Sequence, residues 1–265
     1  MKKSYKPTIL KIGNSITFGP SEQMSYEFKP GYTYQCMYDN RDNSISFTET
    51  GEIELPKKMY ITDSDEKFIN RVLTHYNNSE TGVTGVMLEG VKGAGKTVTM
   101  KAIAKKANLP IFILTNKFSC YALQDLFEKL SEFEACFIID ELDKFGDYYD
   151  TNKLLDCFDG TVKPGKKLIV LTCNELDKTN KYLQDRCSRV RYSRTYKALP
   201  SDLINLLVND RIENKERAKE VAKFITDRFK LPSFDNVNSF IVEVNEFPDE
   251  ELKSLVEDMN IKLNK

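Results

Sequence analysis

The chain has 265 residues, with 39 Lys and Arg against 40 Asp and Glu and a net charge of -1, so bulk charge does not indicate a nucleic-acid or acidic-lipid partner. It has six cysteines without a CxxC pair and a single histidine, which argues against a zinc site and favours buried thiols in a reducing compartment. No apolar run approaches the ~18 residues of a membrane span, and the start "MKKSYKPTIL" lacks a secretory apolar stretch. We therefore expect a cytoplasmic protein without a membrane segment.

Residues 1–60 are rich in β-formers and turn residues. The runs "YTYQCMYD" and "SISFTE" flank "NRDN", a pattern that predicts a β-hairpin. The following "GEIELP" predicts a further strand that Pro56 ends. We expect a small β-rich module for docking or assembly, too short to bury a large core alone.

Residues 61–197 alternate between short apolar runs and helix-like segments. The predicted strands are "GVMLEG", "PIFILT", "ACFIID" and "KKLIVLT". The predicted helices are Lys96–Ala107, Tyr121–Leu130 and Thr151–Cys157. Continuous apolar strands separated by helices predict an α/β fold with a parallel sheet covered on both faces.

Residues 198–265 predict helices alone, because their apolar residues recur at helical spacing. The three apolar sets are Ala218, Val221, Ala222, Ile225 and Phe229; then Val237, Phe240, Ile241 and Val244; then Leu252, Leu255, Val256 and Met259. Pro248 followed by "DEE" is typical of a helix start. We expect a small helical bundle.

The stretch "GVKGAGKT" at positions 90–97 matches the phosphate-binding pattern G-x-x-x-x-G-K-[ST], after a predicted strand and before a predicted helix. Glycines leave main-chain N–H groups open to phosphates, and a helix that starts near Gly95 points its positive end at them. Lys96 adds a cation for the β and γ phosphates, and the Thr97 hydroxyl is a ligand for Mg²⁺. The predicted nucleotide-binding residues are Gly90, Val91, Lys92, Gly93, Ala94, Gly95, Lys96, Thr97 and Val98.

Polar side chains end two other apolar runs. Asp140 and Glu141 follow "ACFII", where Asp140 would orient Mg²⁺ and Glu141 would act as general base on the attacking water. Asn174 ends the next run and either positions that water or is a turn residue. Asp143 and Lys144 are either neighbours that support these residues or surface charges, and we favour surface charges.

The segment "YLQDRCSRVRYSR" contains four arginines, Arg186, Arg189, Arg191 and Arg194. Such a cluster is either a solvated face or a source of an arginine that reaches a neighbouring subunit's γ-phosphate. A planar cation at that place would stabilise charge that develops during phosphoryl transfer.

Together these residues resemble the AAA+ ATPase superfamily over about 200 residues, Ile61 to Lys265. The resemblance rests on "GVKGAGKT" as Walker A, "CFIIDEL" as Walker B, Asn174 as sensor 1 and "DRCSRV" as the arginine-finger segment, in the family's order and followed by a helical lid. In the AAA branch both Arg186 and Arg189 would act, whereas in clamp loaders only Arg186 would. "LPSFDNVNSFIVEVN" is similar to the AAA-branch lid helix and carries no sensor-2 arginine.

The resemblance implies ATP and Mg²⁺ as ligands, catalytic roles for Glu141, Asn174, Arg186 and Arg189, and a homo-oligomeric, usually hexameric ring. The first functional hypothesis is a motor that remodels a protein substrate or adaptor partner. Its pore would use aromatic residues of two loops, unless these pack against the sheet. They are Phe118 and Tyr121 in the first loop and Phe145, Tyr148 and Tyr149 in the second.

The alternative hypothesis is a DNA-directed ATPase of the clamp-loader or helicase-loader type. It would use the arginine segment and a basic stripe. The stripe residues are Lys105, Lys106, Lys163, Lys166 and Lys167. A third hypothesis, a nucleotide-gated scaffold without turnover, fits the intact Asp140–Glu141 pair least well.

Overall fold

A computed structural model describes residues 8–19, 26–80, 82–115, 118, 122–145, 165–174 and 190–264 of the chain. Several predicted features lie outside these residues: Tyr121, Tyr148, Tyr149, Lys163, Arg186, Arg189 and the predicted helix Thr151–Cys157. Within the described residues, no helix is both long and apolar enough to cross a membrane.

The N-terminal region contains four strands, β1 (Thr8–Ile12), β2 (Ser15–Gly19), β3 (Tyr32–Asp39) and β4 (Ser44–Glu52). The predicted hairpin is confirmed, because β3 pairs with β4 in antiparallel register from Asp39 and Ser44 onward. The separate strand predicted at "GEIELP" is wrong. Gly51 and Glu52 continue β4, and the chain then leaves the sheet.

The next region supplies the parallel part of the sheet and its helices. Its elements are α1 (Asp63–Asn78), β5 (Val83–Gly90), α2 (Lys96–Ala107), β6 (Ile111–Ile113), α3 (Leu123–Lys129), β7 (Ala135–Ile139), a 3-10 turn (Leu142–Lys144), β8 (Lys167–Cys173) and β9 (Tyr192–Tyr196). All four predicted strands and helix α2 are present, and α3 lies inside the range Tyr121–Leu130 that was predicted as helical. We did not predict α1 or β9 from the sequence.

The nine strands form a single sheet in the order β1-β2-β4-β3-β6-β7-β8-β5-β9. All pairs from β3–β6 to β5–β9 are parallel, which confirms the predicted α/β class. The carboxyl ends of these strands meet at one edge, where ligands bind in open parallel sheets. The residues that follow β5, β7 and β8 therefore lie close together.

The N-terminal strands share a core with the parallel strands. β3 runs beside β6 with Thr33 opposite Ile111. The buried ring of Phe112 on β6 contacts Phe47 on β4 and Phe137 on β7, each with ring centroids 5.3 Å apart. Four short strands bury too little apolar area alone, so pairing with β6 supplies the rest of their core.

The C-terminal region is helical, as predicted, with α4 (Ser201–Arg211), α5 (Ala218–Arg228), α6 (Phe234–Glu246) and α7 (Leu252–Glu257) around their own apolar core. Helix α6 begins in a capping box in which Ser233 and Asn236 exchange hydrogen bonds. The helix start predicted at Pro248 is wrong, since α7 begins at Leu252. The Pro248 carbonyl instead accepts a hydrogen bond from Arg217.

Candidate active site

The loop between β5 and α2 closes around the side chain of Lys96, which is only 6% exposed. Its ammonium donates to Gly90 O at 2.7 Å, Val91 O at 2.8 Å and Asn174 Oδ1 at 3.0 Å. These three bonds use all the donors of a lysine. Burial lowers the pKa of Lys96, and Asp140 is the largest of the charges that oppose this shift. A phosphate that binds here must compete with acceptors that are already in place.

Gly90 is required by the neighbouring strand. A Cβ atom at Gly90 would lie 1.8 Å from the carbonyl oxygen of Tyr196 on β9, and the same oxygen accepts the Val91 N–H at 2.9 Å. Strand packing alone therefore excludes a side chain at Gly90, which is a reason for this glycine besides the phosphate access that we expect of the loop.

Asp140 lies at the end of β7 between two hydroxyl groups. Thr172 on β8 donates to one carboxylate oxygen, and Thr97 at the start of α2 donates to the other at 3.4 Å. Hydroxyl and carboxylate oxygens are the ligands that Mg²⁺ prefers. The Thr97–Asp140 pair therefore fits a magnesium ion. Thr172 is buried, and we did not predict its role; a threonine inside the apolar run "LIVLTC" is the sequence feature that indicates it.

Glu141 adopts a left-handed backbone conformation, with φ 54° and ψ 53°, that is uncommon for residues other than glycine. Its N–H donates to Thr172 Oγ1 at 2.8 Å, so Thr172 fixes both acidic residues. Lys144 forms an ion pair with the Glu141 carboxylate, and this hydrogen bond lowers the pKa of Glu141. Both side chains are well exposed, so the pair contributes little stability and Lys144 is free to leave.

Asp143 belongs to the site, which corrects its interpretation as a surface charge. It accepts the Asn174 N–H at 2.9 Å and the Asn174 side-chain amide at 3.4 Å. Partial burial opposes ionisation of Asp143, but the hydrogen bonds that it accepts, first among them the one from the Asn174 N–H, outweigh burial and lower its pKa. With Lys96 on the amide oxygen and two carboxylates near the amide nitrogen, the orientation of Asn174 is fixed.

We expect Asp143→Asn to lower kcat for ATP hydrolysis about tenfold while KM changes less than about twofold, because an amide keeps only one of the two acceptor oxygens that orient Asn174. Steady-state kinetics measure both parameters. The control is Asp125→Asn, which removes a surface ion pair with Lys129 and should leave kcat unchanged. Equal loss in both variants would contradict the positioning role of Asp143.

Two adjoining cavities lie at this edge of the sheet. The first, of about 370 Å³, is lined by Lys96, Thr97, Asp140, Glu141 and Asn174 among others. The second, of about 280 Å³, lies between the segment before α1, strand β9 and the C-terminal helices. Gly95 and Phe234 line both cavities. We did not predict the second cavity from the sequence.

The arginine segment is described only in part. Arg194 forms an ion pair with buried Asp65 at 2.9 Å and donates to Ser64, so it is used within the chain rather than on a solvated face. Arg191 is exposed. The two predicted finger residues, Arg186 and Arg189, lie outside the described residues.

Two residues of the predicted pore and DNA surfaces are buried instead. Phe118 is 1% exposed and packs in the apolar core, where it contacts Tyr38, so it cannot grip a polymer. Phe145 is partly buried against the same core. Lys167 is fully buried, donates to Phe133 O, and burial lowers its pKa to about 8. Lys167 therefore cannot contribute to an exposed basic stripe.

Comparison with known proteins agrees with this geometry. Residues 86–195 match the family model of the ATPase family associated with various cellular activities (AAA). ATP-dependent zinc metalloprotease FtsH 2 of Petrotoga mobilis is 29% identical over 133 residues, covering 44% of this chain and 20% of the relative. ATP-dependent zinc metalloprotease FtsH of Leuconostoc mesenteroides subsp. mesenteroides is 28% identical over 143 residues, covering 51% of this chain and 18% of the relative.

UvrABC system protein B of Campylobacter fetus subsp. fetus is 30% identical over 99 residues, covering 37% of this chain and 14% of the relative. The chain thus spans a fifth or less of the length of these relatives. The family match covers the strands and loops that build the site, from β5 to β9. Together with the P-loop, the acidic strand end and the mostly parallel sheet, this family match and the similarity to the two FtsH proteins support an AAA+ ATPase superfamily assignment.

Proposed function

We propose that this chain is a Mg²⁺-dependent ATP hydrolase that works as a ring-forming motor and remodels a protein partner. One observation carries the proposal. Lys96, Thr97, Asp140, Glu141 and Asn174, which come from three separate parts of the sequence, line a single cavity at the carboxyl edge of the sheet. Such a set of groups fits a nucleotide triphosphate and its metal ion.

Each of these residues has a chemical task in the proposal. Lys96 exchanges its carbonyl acceptors for phosphate oxygens. Thr97 and Asp140 hold Mg²⁺, which when bound neutralises phosphate charge. Glu141, ionised and close to Asn174, accepts the proton of the attacking water, and Asn174 orients that water.

The second cavity is the place that we propose for the nucleobase. Tyr60, Ile61 and Thr62 form one wall, and the lid residue Phe234 forms another. A base that binds there contacts both the α/β core and the helical lid, so nucleotide binding would join the two. The shared residue Phe234 makes the lid part of the site.

The proposed assembly is a ring, hexameric by family resemblance, in which Arg186 or Arg189 of one subunit contacts the nucleotide of the next. A planar cation supplied in trans would stabilise the charge of the transferring phosphoryl group. We propose that the β-rich N-terminal module, residues 1–60, is a docking or assembly element of this ring.

A protein substrate is favoured over DNA by two observations. Two of the relatives are by name ATP-dependent proteases. Of the lysines proposed to bind DNA, Lys167 is buried. The DNA-directed ATPase is therefore the second candidate.

The discriminating experiment measures ATP hydrolysis by the purified chain alone, with an unfolded model protein such as reduced α-lactalbumin, and with single-stranded or duplex DNA. We expect Mg²⁺-dependent hydrolysis that EDTA abolishes and that only unfolded protein stimulates. Stimulation by DNA that disappears at raised salt would support the second candidate instead. Absence of hydrolysis under all these conditions would overturn the proposal.

A further inference from the structure

The lid places a carboxylate against the loop that we propose binds phosphates. Asp235 is the second residue of α6, and a Cβ atom at Gly93 would lie only 2.8 Å from Asp235 Oδ2. The contact is held by the backbone, because the Phe234 N–H donates to Gly93 O at 2.7 Å. The capping box of Ser233 fixes the direction in which this helix begins.

Asp235 also changes the charge of the first cavity. The charged residues that line it are Lys92, Lys96, Asp140, Glu141 and Asp235. Without Asp235 the two ammonium groups balance the two carboxylates, and with it the lining has one excess negative charge. Asp140 and Glu141 have hydrogen-bond partners in the site, whereas the Asp235 carboxylate has none among the described residues.

An anion beside bound polyphosphate repels it, and the repulsion grows with the charge of the nucleotide. With its metal ion, ATP carries a net charge of about -2 and ADP about -1, so the repulsion of ATP is roughly twice that of ADP. An acidic residue in the first turn does stabilise a helix, but that effect needs no contact with the P-loop.

We propose that Asp235 is a specificity-determining residue, which weakens the binding of ATP more than that of ADP and thereby sets the affinity ratio of the two nucleotides. This inference rests on the proposed ATP site. Repulsion between the triphosphate and Asp235 also acts on α6, and it pushes the lid away from Gly93. The lid thus responds to the number of phosphates in the site.

The test is Asp235→Asn, which keeps the shape of the side chain and removes its charge. Titration of fluorescent ATP and ADP analogues with Mg²⁺ gives the dissociation constants. At low salt we expect about fivefold tighter binding of ATP and about twofold tighter binding of ADP. At about 0.5 M salt both gains should fall below about twofold, since screening shortens the reach of exposed charges.

The matched control is Asp202→Asn. Asp202 is exposed, is also the second residue of a lid helix, α4, and does not line either cavity. Both variants lose the same helix-dipole interaction, so their melting temperatures should agree. Unchanged nucleotide affinity in Asp235→Asn, or an equal gain in Asp202→Asn, would overturn the inference while leaving the proposed ATP site intact. A wild-type chain that binds neither nucleotide would overturn the ATP site itself.

Discussion

Replacing Glu141 by Gln should leave ATP binding within about threefold of wild type and reduce hydrolysis by about 10²-fold or more. Glutamine keeps the length of the side chain and the backbone bond to Thr172, but an amide does not accept a proton from water. The Asn174 amide lies 3.4 Å from the Glu141 carboxylate, so the proposed base and the proposed water-orienting group lie at the same place. Single-turnover hydrolysis and equilibrium nucleotide binding measure the two effects separately.

The control is Glu128→Gln on the exposed face of α3, which should hydrolyse ATP at the wild-type rate. A second variant, Lys144→Met, removes the partner of Glu141 and should change the rate less than about threefold, since exposed ion pairs contribute little. Normal turnover by Glu141→Gln would show that another group activates the water. Loss of ATP binding in this variant would place Glu141 in nucleotide binding instead.

The sequence was sufficient to predict the parts of the site that follow directly from strand ends. "GVKGAGKT", Asp140 with Glu141, and Asn174 each follow an apolar run. Because parallel strands end at one edge of a sheet, residues far apart in sequence could be predicted to meet. Helix α2 has its predicted bounds because a positive-φ glycine precedes it and a left-handed Asn108 ends it.

The interactions between strands were not predictable in the same way. Thr172 bridges Asp140 and Glu141, but its role depends on the register that places β8 beside β7. The pattern around Asp143 favours a surface charge, and its contact with Asn174 on a different segment becomes visible only in the folded chain. The sequence pattern predicts on which face of the sheet a side chain lies. The residues that this side chain contacts depend on which strand lies beside its own.

The pairing of β3 with β6 is another long-range property. The N-terminal hairpin was predicted from local turn residues, yet its place beside the parallel strands depends on buried rings such as Phe47 and Phe112. Sequence patterns predict that such residues are buried, but not which partners they find. The same holds for Phe234 and Asp235, whose position beside Gly93 depends on how the C-terminal helices pack against the sheet.

Gly90→Ala should lower the free energy of unfolding by about 3 kcal/mol or more, because two costs add. A residue other than glycine is strained at φ +124°, and its Cβ atom would lie 1.8 Å from the Tyr196 carbonyl oxygen. Relief of this clash requires β9 to move. That movement would also disturb the hydrogen bond from Tyr196 to Thr99 on α2. Chemical denaturation followed by circular dichroism measures the loss.

The matched control is Gly51→Ala. Gly51 also has a positive φ, +103°, but a Cβ atom there would meet no other atom within 4 Å. This variant carries the backbone strain without the clash, so it should lose only about 1–2 kcal/mol. If Gly90→Ala were as stable as Gly51→Ala and had merely lost ATP binding, phosphate access would be the reason for the glycine. A larger loss of stability in Gly90→Ala would instead identify strand β9 as the element that requires a glycine at the start of the P-loop.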